Sequence, residues 1–343
     1  MPQSRADSPS PEEQPKRPID SPVDLSKPQK IARVDSGDQQ SESLKPEARK
    51  MGFQRYLVAV EYIGTKFSGS QKQLNGRTVE GVVEDAFYKF IGQPVSISFS
   101  SRTDVGVHAL SNTFHVDVER ISKRKPGEVL PPHEPGVVRR AVNHFLQKNE
   151  GDIMLLDVRT IPANFHARFN AKERIYYYRI LSGQDALSIF EKERAWHVPE
   201  KLDLLAMQKA CSILVGHHDF SSFRSAGCQA KSPVKTLDEL RVCEVIPSSS
   251  FPSNTDNGQK DGGLFGGRKS HRLYMITARA RSFLYHQVRL LVGLLKSVGT
   301  GELKIDDVER ILNARTITET PPMAPACGLY LGNVMYDFLS DDD

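Results

Sequence analysis

The stretch Ser101-Arg102-Thr103-Asp104-Val105-Gly106-Val107-His108-Ala109 decides how this chain is read. Ahead of it, Val95, Ile97 and Phe99 alternate as in a half-buried strand, and behind it Phe114, Val116 and Val118 do the same. A loop of hydroxyl and glycine residues between two strands is a place where a scaffold presents one reactive side chain to a cleft. Asp104 is the single carboxylate of that loop. An aspartate in a Thr-Asp-x-Gly loop also serves as a turn residue bonded to its own backbone, and the loop alone does not separate the two uses.

Upstream, Tyr56 to Val60 reads as a strand, with Gly64 and Gly69 punctuating the loop after it. Val79, Val82, Val83, Ala86, Phe87 and Phe90 then recur at helical spacing, with Thr78 as N-cap and Gly92 as the stop. Downstream come a helix from about Val137 to Leu146 and a strand from Ile153 to Val158. From about residue 164 the style repeats: a strand over Arg174 to Ile180, a helix over Leu204 to Leu214, and a strand over Tyr274 to Ala280. A long helix over Phe283 to Val298 and a shorter one over Ile305 to Leu312 follow. This alternation predicts an α+β protein of two similar α/β-layered domains, residues 51–160 and 161–338. Their mainly antiparallel sheets are flanked by helices, and the active-site cleft lies between them.

Residues 1–50 hold eight prolines, eight serines and no aromatic residue, so they cannot bury enough apolar surface to offset chain entropy and read as a disordered tail. Its Ser-Pro pairs (Ser8, Ser10, Ser21) also match phosphorylation sites, and its Lys16-Arg17 pair with Lys27, Lys30 and Arg33 matches a loose nuclear signal. A solvated tail is the favoured reading. Residues 247–270, rich in Gly, Ser and Asn, read as a disordered surface insertion between two strands, and 339–343 as an acidic tail.

A composition of 38% hydrophobic and 26% charged residues over 343 positions is that of a soluble protein, with no apolar run long enough to span a membrane and no secretory leader. The four cysteines form no Cys-x-x-Cys pair and read as thiols in a reducing compartment. Net charge is +4; without the two tails, 37 basic residues face 30 acidic ones, a surplus of +7 that suits a polyanionic partner.

Three further blocks carry chemistry. Phe165-His166-Ala167-Arg168-Phe169-Asn170-Ala171 leads into Arg174-Ile175-Tyr176-Tyr177-Tyr178, where alternation puts Arg174, Tyr176 and Tyr178 on one face. A tyrosine there suits stacking on a base; a packed aromatic strand with solvent-facing arginines is the competing reading. In Ser282-Phe283-Leu284-Tyr285-His286-Gln287-Val288-Arg289, helical spacing lets Arg289 reach toward an acidic group, as a buried aspartate requires to stay ionised. Gly216-His217-His218-Asp219 suggests metal, but adjacent histidines on a strand point to opposite faces and no second ligand cluster accompanies them.

Together with Ala324-Pro325-Ala326-Cys327-Gly328-Leu329-Tyr330-Leu331, these blocks resemble the tRNA pseudouridine synthases of the TruA type over residues 53–337, in the family's order. Arg102-Thr103-Asp104-x-Gly106-Val107-His108-Ala109 is the specific block. Ser-Ser-Arg-Thr-Asp at 100–104, His108 to Asn112, Ser232 to Leu237 and Ser282 to Arg289 look closer still to the animal tRNA pseudouridine synthase-like branch.

The resemblance implies an isomerase that turns uridine in tRNA into pseudouridine with no cofactor and no metal. It makes Asp104 the nucleophile, Arg289 its partner and Tyr176 the ring that stacks on the flipped uracil. Arg102 draws the uridine from the stack, and Leu329 forms an apolar wall. Lys66, Lys72 and Arg77, near the first block, are candidates for phosphate contacts, with a solvated loop surface as the competing reading. The partner is tRNA, a homodimer is the implied form, and the compartment is cytoplasm or nucleus, with mitochondria as the alternative.

One departure stands out. The family's first block runs Gly-Trp-Gln-x-Gln, and here it is Gly69-Ser70-Gln71-Lys72-Gln73, which puts the choice of target uridine in doubt. Two readings compete with the enzyme: a catalytically inactive RNA-binding or RNA-folding module, and a metal hydrolase built on Asp104, His108 and His217. Nothing in binding alone requires Asp104, Tyr176 and Arg289 together, and no acidic cluster at ligand spacing supports the hydrolase.

Overall fold

Tyr56, Val58 and Val60 alternate along β1 (Phe53–Tyr62) and are fully buried, which sets the face of the sheet that packs on the helices. The structure, a computed structural model, describes residues 53–148, 150–245 and 271–338. The stretches read from the sequence as a tail (1–50), an insertion (247–270) and an acidic end (339–343) lie outside the described residues.

After β1 come α1 (Val79–Ile91), β2 (Ile97–Phe99), β3 (His108–Glu119), α2 (Pro135–Gln147) and β4 (Ile153–Ile161). The chain continues through β5 (Glu173–Ser182), β6 (Trp196–Val198), α3 (Leu204–Leu214), β7 (Gly216–Asp219), β8 (Val234–Leu237) and β9 (Glu239–Val245). It ends with β10 (Arg272–Ala280), α4 (Gln287–Gly299), α5 (Ile305–Ala314) and β11 (Leu329–Met335). Local chemistry sets the ends of α1: the Thr78 hydroxyl accepts from the Gly81 N–H at 3.2 Å, and Gly92 closes the helix in the left-handed region.

The main sheet has the order β4-β1-β3-β11-β5-β10-β9, with β2 beside β3 and β6 beside β5, while β7 and β8 form a separate hairpin. Pairings are antiparallel except β3 with β11 and β5 with β6. This is the expected α+β class: a mainly antiparallel sheet flanked by five helices among the described residues. The last strand, β11, lies between β3 and β5, so one sheet runs through both halves of the sequence. A single buried cluster includes Val83 and Phe87 of α1, Val138 of α2, Met207 of α3, Leu291 of α4 and Ile311 of α5, together with strand residues. No helix among the described residues is long and apolar enough to cross a membrane.

One expectation is corrected. The helix drawn from Phe283 begins instead at Gln287, because His286 sits in the left-handed region at φ 63°, where a helix cannot propagate. Phe283, Leu284 and Tyr285 therefore form a loop leading into α4, and the helical spacing read across Phe283, Tyr285 and Arg289 does not apply.

Candidate active site

Topology brings the site together. β10 ends at Ala280, opposite Arg174 of β5. β2 returns beside β3 so that the Ser100 N–H donates to the Thr113 carbonyl at 2.8 Å. The loop carrying Asp104, the block before Arg174 and the segment after β10 therefore meet, although they stand far apart in sequence.

The Asp104 loop is a tight turn. The Val107 N–H donates to the Asp104 carbonyl at 3.1 Å, and Gly106 takes φ 81° at the third position, which L side chains rarely adopt. Asp104 is thus a turn residue through its backbone, while its carboxylate is left to side-chain partners. The loop is clipped from behind by Ser70, fully buried, whose Oγ accepts from the Thr103 N–H at 2.8 Å. Thr103 Oγ1 lies 2.8 Å from the Tyr62 hydroxyl, and the Asn112 amide donates to the Ser101 carbonyl at 3.1 Å. At Gly64 a Cβ would stand 1.9 Å from the Val107 carbonyl oxygen, so that position admits no side chain.

Two groups from the start of α4 face the carboxylate. His286 Nε2 lies 3.2 Å from Asp104 Oδ2, and Arg289 Nη1 lies 3.6 Å from the same oxygen. Arg289 is fixed by a second bond, Nε to the Ala324 carbonyl at 2.8 Å. On its other side His286 Nδ1 faces the Ser225 hydroxyl at 3.0 Å, and its ring stacks on Tyr285 with centroids 3.7 Å apart. Burial and the Arg289 charge hold the His286 pKa below the usual 6.5, against the opposing pull of Asp104. The ring is therefore neutral at pH 7. Because the carboxylate only accepts, Nε2 carries the hydrogen and Nδ1 accepts from Ser225.

Tyr176 is 8% exposed, on the same face as Arg174 and Tyr178 as its alternation requires, with its ring edge-on to Phe283 at 5.1 Å. Burial raises its phenol pKa against the opposing Arg174 charge, with smaller help from Tyr62 and Asp104, so it stays protonated. Leu329 opens β11, buried and opposite Tyr178. Arg102 is exposed two residues before Asp104, bonded to Gln229 Oε1 at 3.1 Å.

The three basic residues near the first block already have acidic partners. Lys66 pairs with Glu150 and Lys72 with Glu84 at the surface. Arg77 makes two bonds to the buried Asp152 and lies over the Phe67 ring at 4.1 Å. His217 faces Thr236 Oγ1 and His218 faces the Val215 carbonyl.

Sequence reading missed three parts of this arrangement. His286 is visible as a histidine three residues before Arg289, but nothing local says that the chain turns to aim both at one oxygen. Ser70 appears only as a departure from a motif. Arg174 lies on the expected strand face with Tyr176 and Tyr178, but no local signal shows that it is buried there and ties several segments together.

Residues 58–170 and 210–337 match the family model described as tRNA pseudouridine synthase. The chain is 39% identical over 282 residues to the tRNA pseudouridine synthase A of Xanthobacter autotrophicus, covering 82% of this chain and 99% of that relative. It is 40% identical over 283 residues to the protein of the same name from Rhodospirillum centenum, covering 82% of this chain and 100% of that relative.

Proposed function

The chain belongs to the tRNA pseudouridine synthase family, isomerases that convert uridine in tRNA to pseudouridine, and we propose that Asp104 is its nucleophile. The observation that carries this assignment is the convergence of His286 and Arg289 on one oxygen of Asp104. A cation and a neutral N–H donor orient the carboxylate at the end of a rigid turn.

In this reading the exposed Arg102 helps draw the target nucleotide out of its stack, since a base within a helix is out of reach. The Asp104 carboxylate oxygen attacks C1′ of the nucleotide, and the N1–C1′ bond breaks with its electron pair going to N1. The freed uracil turns between the Tyr176 ring and the apolar wall that includes Leu329, and its C5 bonds C1′ as the Asp104 oxygen leaves and the carboxylate is regenerated. C5 loses a proton and N1 gains one, so the product is an isomer and no electrons are exchanged. The protonated phenol of Tyr176 has a hydrogen to donate to the turning base.

Of the basic residues near the first block, Lys66 and Lys72 serve as phosphate contacts only by exchanging an exposed ion pair, which costs little. Arg77 would have to leave a buried carboxylate, so a structural role is favoured there. The family resemblance implies a homodimer as the acting form, which sedimentation equilibrium of the purified chain checks.

The test is site mapping of pseudouridine in tRNA from cells with and without the protein, followed by rescue with wild type and with Asp104→Asn. Restoration by wild type alone supports the nucleophile, and restoration by both removes it.

A further inference from the structure

Arg174 is buried and makes no ion pair among the described residues. Its guanidinium donates to backbone and hydroxyl groups of three segments: Nε to Ser101 Oγ at 3.0 Å, and Nη2 to the carbonyls of Ser100 and Arg168, each at 3.0 Å. Nη1 donates to the carbonyl of Arg281. The hub therefore gathers the start of the Asp104 loop, the block before β5 and the segment leaving β10. Each of these segments carries an exposed arginine at the gathering point: Arg102, Arg168 and Arg281.

None of these four arginines forms an ion pair among the described residues, in contrast to Lys66, Lys72 and Arg77. Their charges act on one another: Arg168 bears on Arg102, and Arg168 and Arg281 bear on Arg174. Burial is the larger cause that disfavours charge at both Arg102 and Arg174; Glu80 opposes it at Arg102, and the Tyr176 and Tyr336 hydroxyls oppose it at Arg174 by more than Arg168 and Arg281 add. Arg168 also lies beside the exposed Phe169 ring, 5.7 Å from its centroid. Like charges held together without counter-charges repel one another, and an anionic ligand relieves the repulsion.

We propose that Arg102, Arg168 and Arg281, gathered around the buried Arg174, form a clamp for the ribose-phosphate backbone flanking the target uridine. The position of the clamp rests on Asp104 as the reaction centre, two residues from Arg102. Its ligand class is the phosphodiester chain of RNA, and planar guanidinium groups suit phosphate oxygens. Because Arg168 and Arg281 bond the hub through their carbonyls, replacing their side chains leaves the scaffold in place.

The test measures binding of an unmodified tRNA transcript by the full-length chain, by fluorescence anisotropy, across about 50 to 300 mM potassium chloride. Arg168→Gln, Arg281→Gln and the double variant are compared with wild type and with Lys89→Gln, a lysine on α1 paired with Asp85. Each clamp substitution is expected to raise Kd by roughly five- to tenfold and to lower the slope of log Kd against log salt by about 1. At saturating tRNA, kcat stays within about twofold, and Lys89→Gln changes neither quantity. Wild-type Kd and slope in the double variant would overturn the clamp, as would an equal loss in Lys89→Gln. Competition by millimolar inorganic phosphate against wild type but not the double variant would replace RNA by a free phosphate as ligand. Pseudouridine formation is scored separately, so failure of the nucleophile assignment and failure of the clamp give different results.

Discussion

The Nε2 of His286 lies 3.2 Å from Oδ2 of Asp104, closer to that oxygen than the Arg289 guanidinium at 3.6 Å. The nearest partner of the carboxylate is thus a neutral donor, with the cation just behind it. This division matters chemically. A tightly paired carboxylate is a poor nucleophile. A neutral N–H bond combined with a looser ion pair orients the Asp104 oxygen without engaging it fully.

Asp104→Asn removes the charge with little change of shape. Pseudouridine formation is expected to fall by at least about a thousandfold, while tRNA Kd stays within a few-fold of wild type. Single-turnover assays on a tRNA transcript, with binding measured alongside, separate the two; activity near wild type removes Asp104 from the chemistry.

His286→Leu deletes the neutral donor and is expected to lower kcat by about tenfold. The sign with pH follows from the His286 pKa, which lies below 6.5. Above pH 6.5 the ring is neutral, and acidification adds a second cation against Asp104 and slows attack. Wild-type kcat should therefore be flat above about pH 6.5 and fall below it, and His286→Leu should shift that fall to lower pH. An unchanged acid limb in the variant would assign the limb to another group.

Ser70→Ala leaves the buried Thr103 N–H without its side-chain acceptor. The expected cost is about 1–2 kcal/mol in urea unfolding. Because Thr103 precedes Asp104, kcat should drop more than KM rises. Unchanged stability would mean that the loop holds its shape without this clip.

Arg174→Met strands three backbone carbonyls around the hub, with an expected destabilisation of about 3 kcal/mol or more. Arg174→Lys should restore little, since a compact ammonium cannot reach three diverging acceptors from one planar fork. Thermal melts of the two variants decide the matter; full rescue by lysine would show that charge, not the fork, is what the hub needs.

Acid should loosen the fold through His108. Its Nδ1 accepts from the Gly64 N–H at 3.0 Å, its ring stacks on Tyr330, and its Nε2 faces the Glu193 carbonyl. Burial is the main cause that pushes its pKa down to about 4. Between pH 6.5 and about 4 the unfolded chain therefore binds the proton that the folded chain refuses, so stability falls as pH drops through that window. Protonated Nδ1 would also set two donors against each other. His115, likewise at about 4 mainly through burial, adds in the same direction. A loss on the order of 2 kcal/mol between pH 7 and pH 5 is expected by urea titration, and a smaller loss in His108→Phe checks the source.

Local rules made much of the fold legible. The helix Leu204–Leu214 follows from its own apolar spacing, α1 from its Thr78 cap and Gly92 stop, and the buried face of β5 from strict alternation. These features depend on neighbours within a few residues. The start of α4 was not legible, because the left-handed turn at His286 is held from outside by Ser225, 61 positions away, whose hydroxyl faces His286 Nδ1 and whose N–H donates to the Tyr285 carbonyl. The partners of Lys66, Lys72 and Arg77 were hidden for the same reason: Glu150, Glu84 and Asp152 stand 84, 12 and 75 positions away.

By itself, the sequence determined the element types, the tight turn at Asp104-Val105-Gly106-Val107 and the residues available for chemistry, because backbone preference and periodicity are short-range. Only the tertiary structure decided which side chains meet. Placing β11 between β3 and β5 lets Arg289 rest on Ala324 while facing Asp104, and the end of β10 opposite Arg174 lets one guanidinium join three segments. Hydrogen bonds and ion pairs act over a few ångströms of space whatever the distance along the chain, so the polar architecture of this site exists only once the sheet has closed.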